Sequence, residues 1–337
     1  MSDGKFRPLD PNGQDCPTEF LLFNFNIASP TLKPAHERFL KRGILTILEA
    51  NEDNKVRLVG RASRSGPESL DLKLSRQRAE AVAALLTRAG IDRSRIQVDF
   101  IGKSNPFSTA NESEEDRSVE IHLQISPTLT IELEDGGLVR RADVIVQTIR
   151  DAFAPIAAQA GRKLQIHLGR GIATGRGDLN LHFDPGGREM RPCAGILILG
   201  NEGGGEIFVG AHESLRVCSG PIQSVDDPSD IDYVSQLQHV FENGETEFAR
   251  FVGNTCVHEL AHIVAQIEHT ADPDNFMFSV GSLGGNLPRD RRTLESMRRH
   301  WAGPKTFNAA QIKKMVCAMH TGFFSGGMRI SGSFDSK

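Results

Sequence analysis

The motif His-Glu-Leu-Ala-His at residues 258–262 is the part of this sequence whose residue types and spacing best fit chemistry. On an α-helix, residues four apart lie on one face, so the imidazoles of His258 and His262 can converge on one metal ion. Glu259 is turned about 100° from His258 and would lie beside the ion's open position. A zinc hydrolase requires this arrangement, with zinc as the cofactor and Glu259 as the general base.

A catalytic zinc usually has three protein ligands and a water, so the residues after this helix should supply one more ligand. Glu268 and His269 follow closely along the chain. The seven residues from His262 to His269 would climb about 10 Å in an unbroken helix, too far to share one zinc with bonds of about 2 Å. We therefore predict that the helix breaks between Ile263 and Glu268.

Residues 258–277, with the sequence H-E-L-A-H-I-V-A-Q-I-E-H-T-A-D-P-D-N-F-M, resemble the active-site segment of the metzincin zinc metalloproteases. The resemblance implies a zincin catalytic domain in which His258, His262 and His269 hold the zinc. It also implies that Met277 forms a methionine turn beneath the metal. We prefer His269 as the third ligand because the residues that follow it match the family best.

The segment departs from the metzincin pattern at two positions. Ala265 stands where a glycine usually ends the helix, and Glu268 occupies the usual position of the third histidine. Glu268 is therefore kept as an alternative metal ligand, and Glu295 in a later predicted helix is a remoter one. Phe278 stands where some metzincins have a tyrosine, so the zinc and backbone groups would have to stabilise the oxyanion.

These residues predict a zinc-dependent endopeptidase that hydrolyses peptide bonds with a metal-activated water. Zinc lowers the pKa of its bound water toward about 7, and Glu259 then takes the proton and passes it to the leaving amine. In the metzincins an edge strand pairs with the extended substrate, and residues 206–210 are our candidate for this strand. The expected partner is a protein or peptide substrate.

The first half of the chain alternates predicted strands and helices, which indicates a small α/β sandwich. Pro34 is expected to open one helix and Gly90 to end another. The last predicted strand alternates apolar and polar residues with a period of two. The predicted strands are 19–27, 55–62, 95–101 and 117–125, and the predicted helices are 34–50 and 70–89.

Three motifs follow one another in this half: V-R-L-V-G-R-A-S ending at Ser63, L-S-R-Q-R-A at 74–79, and D-R-S-V-E-I at 116–121. Together they resemble the OmpA-like peptidoglycan-associated domain. The resemblance implies that an aspartate and an arginine at two of these positions bind the diaminopimelate of peptidoglycan. The positions are Ser63 and Arg78, so the aspartate is replaced and a charge-assisted hydrogen bond would be lost. Alternatively, the fold serves as a docking or spacer module, with Arg78 a solvated helix residue.

The second half is predicted to contain a long amphipathic helix, several strands and further helices. Its predicted elements are helices at 141–160, from 246 and from Asn308, and strands at 163–168, 179–183, 195–199 and 206–210. The patterns and resemblances together predict an α/β OmpA-like domain at 19–126 and a linker at 127–137, within which the sequence also allows a strand. An α+β zincin metallopeptidase domain, with a mixed sheet and the active-site helix, follows at 138–325.

The composition of the chain bears on nucleic-acid binding, on membrane insertion and on cellular location. The 337 residues include 43 acidic and 39 basic side chains, a net charge of −4 that offers no basic footprint for nucleic acid. No apolar run approaches the roughly 18 residues of a membrane-spanning helix. We recognise no signal peptide, so the chain is expected to be cytoplasmic as synthesised, with non-classical export or a periplasmic location if a leader is missing. Of the five cysteines, at most Cys193 and Cys218 would pair.

Two alternative functions remain open. In the first, a catalytically inactive zincin domain is part of a cell-wall-binding or structural protein. In the second, the enzyme cleaves peptidoglycan cross-links instead of proteins, an idea suggested only by the company of the OmpA-like domain. Peptidoglycan is therefore a second predicted partner.

Overall fold

The computed structural model describes residues 3–9, 16–134, 141–169, 178–184, 195–198, 204–208, 245–278 and 303–324. The chain forms two compact units. The first unit extends to Ser126 and also includes His320–Phe323, and the second begins at Pro127. Each unit contains its own five-stranded sheet.

The sheet of the first unit has the strand order β1-β2-β5-β3-β4. Strands β3 and β4 are parallel, and the other neighbouring pairs are antiparallel. Strand β1 was not predicted, because it has only four residues and ends in a proline. The strands are β1 (Lys5–Pro8), β2 (Glu19–Phe23), β3 (Lys55–Gly60), β4 (Ile96–Phe100) and β5 (Ser118–Gln124).

The helices of this unit are α1 (Pro34–Phe39), a π-helical segment (Leu40–Ile44), α2 (Leu45–Ala50) and α3 (Glu68–Arg88). The predicted helix 34–50 is therefore one helical stretch with a π turn in its middle. Helix α3 approaches β3 very closely, because a Cβ atom at Gly60 would lie 1.9 Å from the carbonyl oxygen of Ser75. The apolar faces of the strands and helices form one buried cluster, which includes Leu22, Leu40, Leu58, Val82 and Ile121.

The sheet of the second unit has the strand order β7-β6-β8-β10-β9. Strand β9 is antiparallel to β10, and the other neighbouring pairs are parallel. The strands are β6 (Thr128–Glu134), β7 (Lys163–Gly169), β8 (Leu179–Asp184), β9 (Gly195–Ile198) and β10 (Gly204–Phe208).

Two sequence-based predictions about this sheet are wrong. Residues 127–137 are not simply a linker, because residues 128–134 form β6, which pairs with both β7 and β8. The strand predicted at 206–210 is not at the edge, because β10 lies between β8 and β9. Among the described strands, β9 is the one at the edge on that side of the sheet.

The second unit also contains α4 (Ala142–Gln159), α5 (Glu245–Ala265) and all but the last two residues of α6 (Ala309–Thr321). Helix α4 connects the parallel strands β6 and β7, a connection that a parallel pair requires. Helices α4 and α5 pack closely, since a Cβ atom at Gly253 would lie 2.9 Å from the Cβ atom of Thr148. The predicted strands and helices of this half thus correspond to elements with similar bounds, except that the later helix at 291–300 lies outside the described residues.

A buried ion pair between Arg162 and Asp178 connects the first residues of β6 to the residue before β8. Arg162 Nη2 donates to Asp178 Oδ1 at 2.9 Å and to the carbonyl oxygen of Thr128 at 2.6 Å. The other carboxylate oxygen of Asp178 accepts from the Thr130 backbone N–H at 2.7 Å. The two charged side chains are 3% and 0% exposed, so each depends on the other for compensation of its charge.

The cysteines differ from the prediction. Cys16 and Cys317 are each disulfide-bonded, and Cys256 is free and buried. Cys193 and Cys218, the pair proposed from the sequence, lie outside the described residues. Among the described helices, none has the length and apolar character needed to span a bilayer.

Candidate metal centre

Three histidines of the second unit bring their imidazole nitrogens to one point. The Nε2 atoms of His258, His262 and His269 are each 3.1 Å from the other two. Helix α5 supplies the first two, and the turn after it supplies the third. Within the described part of the chain this is the one group of three or more such side chains suited to a metal ion.

The turn after α5 brings His269 back to the helix. Helix α5 ends at Ala265, and Gln266 adopts a left-handed conformation with φ 45°. The backbone N–H of Gln266 still donates to the carbonyl oxygen of His262 at 2.8 Å. The predicted break between Ile263 and Glu268 is confirmed, and Gln266 adopts the conformation that a glycine takes in many helix ends.

Hydrogen bonds orient the imidazoles toward one another. His258 Nδ1 lies 2.8 Å from the carbonyl oxygen of Phe276. A carbonyl oxygen only accepts, so Nδ1 carries the proton and the lone pair of His258 Nε2 faces the other two rings. His262 forms a hydrogen bond with the backbone of Ile267.

Burial keeps these imidazoles neutral at pH 7. It lowers the pKa of His258 to about 3, with a further contribution from His262 and His269. Burial and the nearby His269 lower the pKa of His262 to about 4. Burial also lowers the pKa of His269. Neutral imidazole is the form that binds metals.

The geometry fits a zinc ion. A tetrahedral zinc about 2.0–2.1 Å from each nitrogen would separate the nitrogens by about 3.3 Å. The observed separation of 3.1 Å is close to this value. Three imidazole nitrogens cannot all donate to one another, and converging lone pairs repel unless a cation lies between them. The donor set therefore suits a zinc site of three imidazoles with a free position.

Glu259 lies on α5 next to the first histidine and is 5% exposed. Burial raises the pKa of its carboxyl group to about 7. A carboxylate whose pKa lies near the working pH is suited to take up and release a proton. Glu259 is not one of the residues that form the histidine group.

The other residues proposed from the sequence for the metal site do not join the three histidines in the described structure. Glu268 is exposed and is not part of the histidine group. Glu295 lies outside the described residues. Met277 is fully buried in the turn that also contains Phe276, and Phe278 after it is buried as well. The backbone N–H of Thr270 donates to the Met277 carbonyl oxygen at 2.9 Å, which connects this turn to the residue after His269.

In the first unit, Arg78 is fully buried on α3. Its guanidinium donates to the backbone carbonyl oxygens of Ser29 at 3.2 Å, Arg61 at 2.9 Å and Asn26 at 3.1 Å. Burial lowers its pKa to about 10, so Arg78 remains charged at pH 7. The interpretation of Arg78 as a solvated helix residue is therefore wrong.

Ser63 lies beside a carboxylate that the sequence analysis did not identify. The hydroxyl of Ser63 donates to Glu112 Oε2 at 3.0 Å, and the hydroxyl of Ser65 donates to the same atom at 2.6 Å. Arg117 forms an ion pair with the other oxygen of Glu112. Burial raises the pKa of Glu112, but the bonds from Ser65, Arg117 and Ser63 more than offset it, so the pKa lies below its ordinary value.

Comparison with known proteins addresses the first unit. Residues 24–120 match the model of the OmpA family. The chain is 37% identical over 102 residues to the probable lipoprotein YiaD of Escherichia coli, which corresponds to 29% of this chain and 46% of the relative. The N-terminal domain is OmpA-like. The resemblance that the motifs around Ser63 and Arg78 indicated is thereby confirmed.

A second curated relative and a solved structure are also similar to part of this chain. The outer-membrane lipoprotein YfiB of Pseudomonas aeruginosa is 40% identical over 65 residues, 19% of this chain and 39% of the relative. The peptidoglycan-associated lipoprotein of Burkholderia pseudomallei is a solved structure that is 19% identical, with a TM-score of 0.30, and covers 34% of this chain and 98% of that one. The chain spans between 39% and 52% of the length of these curated relatives. The resemblance of the second unit to the metzincins stays a prediction.

Proposed function

We propose that this chain is a bacterial cell-envelope protein in which the OmpA-like domain attaches to peptidoglycan and the second unit hydrolyses peptide bonds at a zinc centre. The first part rests on the family match at residues 24–120 and on the names of the relatives. The second rests on one observation, the convergence of three histidine Nε2 atoms at 3.1 Å.

Glu112 supports peptidoglycan binding by the OmpA-like domain. Ser63 replaces the aspartate that the family uses for the ammonium group of diaminopimelate, but its hydroxyl bonds directly to the Glu112 carboxylate. A carboxylate next to Ser63 can accept a charge-assisted hydrogen bond from an ammonium group. Arg78 retains its charge beneath the same region and holds the backbone of Ser29, Arg61 and Asn26.

Cosedimentation of the full chain with purified peptidoglycan tests this part. Glu112→Gln should reduce the bound fraction about tenfold, since a charge-assisted bond becomes a neutral one. Glu115→Gln is the matched control, because Glu115 pairs with Arg7 and should leave binding unchanged. Wild-type protein that stays in the supernatant would favour the docking or spacer role.

The residues of the metal centre each have a chemical part in peptide hydrolysis. His258, His262 and His269 would hold the zinc, which when bound lowers the pKa of a water and polarises the substrate carbonyl. Glu259 would serve as the general base that takes up a proton and as the acid that returns it to the leaving amine. Its burial and its pKa of about 7 suit both steps. Met277 is fully buried, as the apolar floor that the resemblance implies would require.

The second unit also offers a way to bind an extended peptide. Strand β9 is paired on one side with β10 and forms the edge of the sheet built by the described strands. An edge strand presents unpaired backbone groups that can add a peptide as a further strand. This favours a protein or peptide substrate over a small molecule.

Metal content and hydrolysis, measured on the same samples, test the zinc centre. We expect one zinc per wild-type chain, its loss in His269→Ala and its retention in Glu268→Ala and Glu259→Ala. Activity on casein should disappear in Glu259→Ala and persist in Glu268→Ala. Cleavage of peptidoglycan instead of casein would favour the cross-link peptidase, and zinc without either activity would favour the inactive zincin. A wild-type chain that binds no zinc after reconstitution would contradict the proposal.

An envelope location is part of the proposal. The matched relatives are named as a lipoprotein, an outer-membrane lipoprotein and outer membrane proteins, and none of these names supports the predicted cytoplasmic location. The disulfide bonds of Cys16 and Cys317 agree with an oxidising compartment, since disulfides are rare where thiols are kept reduced. Fractionation of cells that express the chain, followed by immunoblotting, tests the location.

A further inference from the structure

We propose that Gln311 is a positioning residue for the metal centre: its side-chain oxygen holds the turn whose carbonyl group orients His258. The inference rests on the proposed zinc function and adds to it a residue outside the predicted motif. Gln311 lies in the first turn of α6 and is 7% exposed.

The hydrogen-bond partner of His258 is the backbone carbonyl group of Phe276. The carbonyl oxygen of Phe276 accepts from His258 Nδ1 at 2.8 Å, which keeps the proton on Nδ1 and leaves Nε2 free for a metal. The direction of this carbonyl depends on the turn around it. The backbone N–H of Phe276 donates to the Thr306 carbonyl oxygen at 3.1 Å, which fixes the peptide group before this carbonyl.

The side chain of Asn275 is folded over the same turn, and this residue is 3% exposed. Its Oδ1 atom accepts from the Met277 backbone N–H at 2.8 Å. Its Nδ2 atom donates to Gln311 Oε1 at 2.9 Å. Asn275 therefore holds the peptide group that carries the Phe276 carbonyl, and Gln311 in turn holds the amide of Asn275.

Gln311 also caps the N-terminus of α6. Its Oε1 atom accepts from the Asn308 backbone N–H, and its own N–H donates to Asn308 Oδ1, both at 2.9 Å. This reciprocal pair is a capping box. The cap and the bond to Asn275 can be separated, because the loss of the Asn308 side chain removes one capping bond and leaves Gln311 Oε1 in contact with Asn275.

Removal of the Gln311 oxygen leaves a buried amide donor of Asn275 without its acceptor, and such groups are costly to leave unpaired. The amide then has to move to find water, and the Phe276 carbonyl moves with the turn. Loss of the partner of a metal-bound histidine typically weakens metal binding by about 10- to 100-fold.

The test is the zinc dissociation constant of the full chain, measured by competition with a chelator. Gln311→Leu keeps most of the side-chain volume and removes the oxygen, and we expect zinc binding to weaken at least tenfold. Gln311→Glu keeps an oxygen for both donors and should restore binding. Asn308→Ala is the matched control, which should lower the melting temperature of the metal-free protein and leave zinc affinity unchanged.

A second readout separates positioning from stability. The visible spectrum of the cobalt-substituted protein reports the ligand field, and it should change in Gln311→Leu but not in Asn308→Ala. Equal zinc affinity in wild type and Gln311→Leu, or equal weakening in Gln311→Leu and Asn308→Ala, would overturn the inference. If Gln311→Leu fails to fold, Gln311→Ala carries the same expectation. A wild-type chain without zinc affinity would instead refute the proposed function.

Discussion

The close packing of α4 against α5 gives a sharp prediction for Gly253→Ala. Gly253 lies on α5 five residues before His258, in a fully helical segment. A Cβ atom added there would lie 2.9 Å from the Cβ, 3.0 Å from the Oγ1 and 3.1 Å from the Cγ2 of Thr148. The nearest of these atoms is not the end of a flexible side chain, so the helices themselves would have to move.

Two opposing effects set the magnitude. An extra methyl group in a closely packed contact costs about 1–3 kcal/mol. Alanine in place of glycine inside a helix gains about 1 kcal/mol. We therefore expect Gly253→Ala to lower the free energy of unfolding of the second unit by about 1 kcal/mol. In a Thr148→Gly background the contact is gone and the same change should be stabilising by about 1 kcal/mol, a coupling of about 2 kcal/mol.

Urea unfolding is the appropriate assay, followed by the fluorescence of Trp301, the only tryptophan and one that belongs to the second half of the chain. Far-ultraviolet circular dichroism on the same samples would reveal whether the two units unfold separately. A stabilising effect of Gly253→Ala in the wild-type background would refute the close approach of the two helices. Equal effects in both backgrounds would refute the role of Thr148.

Three further predictions concern stability. Burial lowers the pKa of His36 from 6.5 to about 4, so the unfolded chain takes up a proton at a higher pH than the folded chain does. The free energy of unfolding should therefore fall by about 3 kcal/mol as the pH drops from 6.5 to 4. His36→Gln should flatten this pH dependence in urea titrations. Gln266 has a left-handed backbone conformation, which is strained for a residue with a side chain. Gln266→Gly removes this strain and should raise the free energy of unfolding by about 0.5–1 kcal/mol with unchanged zinc affinity. A loss of stability would show that the residue is not strained. Asp178→Asn leaves Arg162 charged and buried and should cost about 3 kcal/mol in thermal or urea unfolding. Asp143→Asn, at an exposed ion pair, should leave stability nearly unchanged.

Local patterns predicted most of the strands and helices but not where the second sheet begins. Pro127 and the pair Gly136–Gly137 suggested a boundary, and a boundary does fall after Ser126. The alternating residues 128–134 were nevertheless assigned to the linker, although they form a strand between two parallel neighbours. Turn residues indicate where an element ends, but only pairing across the sheet determines whether the element is central or marginal.

The candidate sites show the same limit. Residue types and spacing predicted that His258 and His262 lie together, because helical geometry alone places residues four apart on one face. The bonds around Ser63 could not be predicted in this way, since its carboxylate partner Glu112 is 49 residues away in the sequence. Gln311 was missed for the same reason, as it contacts Asn275 across 36 residues.

The free thiol of Cys256 lies close to the three histidines in the sequence but is not expected to bind the metal. Cys256 lies two residues before His258, and thiolates are strong zinc ligands. Two residues along a helix correspond to a rotation of about 200°, which directs the thiol away from the histidines. Burial, with a smaller contribution from Glu259, raises the pKa of the Cys256 thiol, so the thiolate that would bind zinc does not form. The same burial shields Cys256 from disulfide exchange, so a zinc bound as proposed would be held by the three neutral imidazoles and not by this thiol.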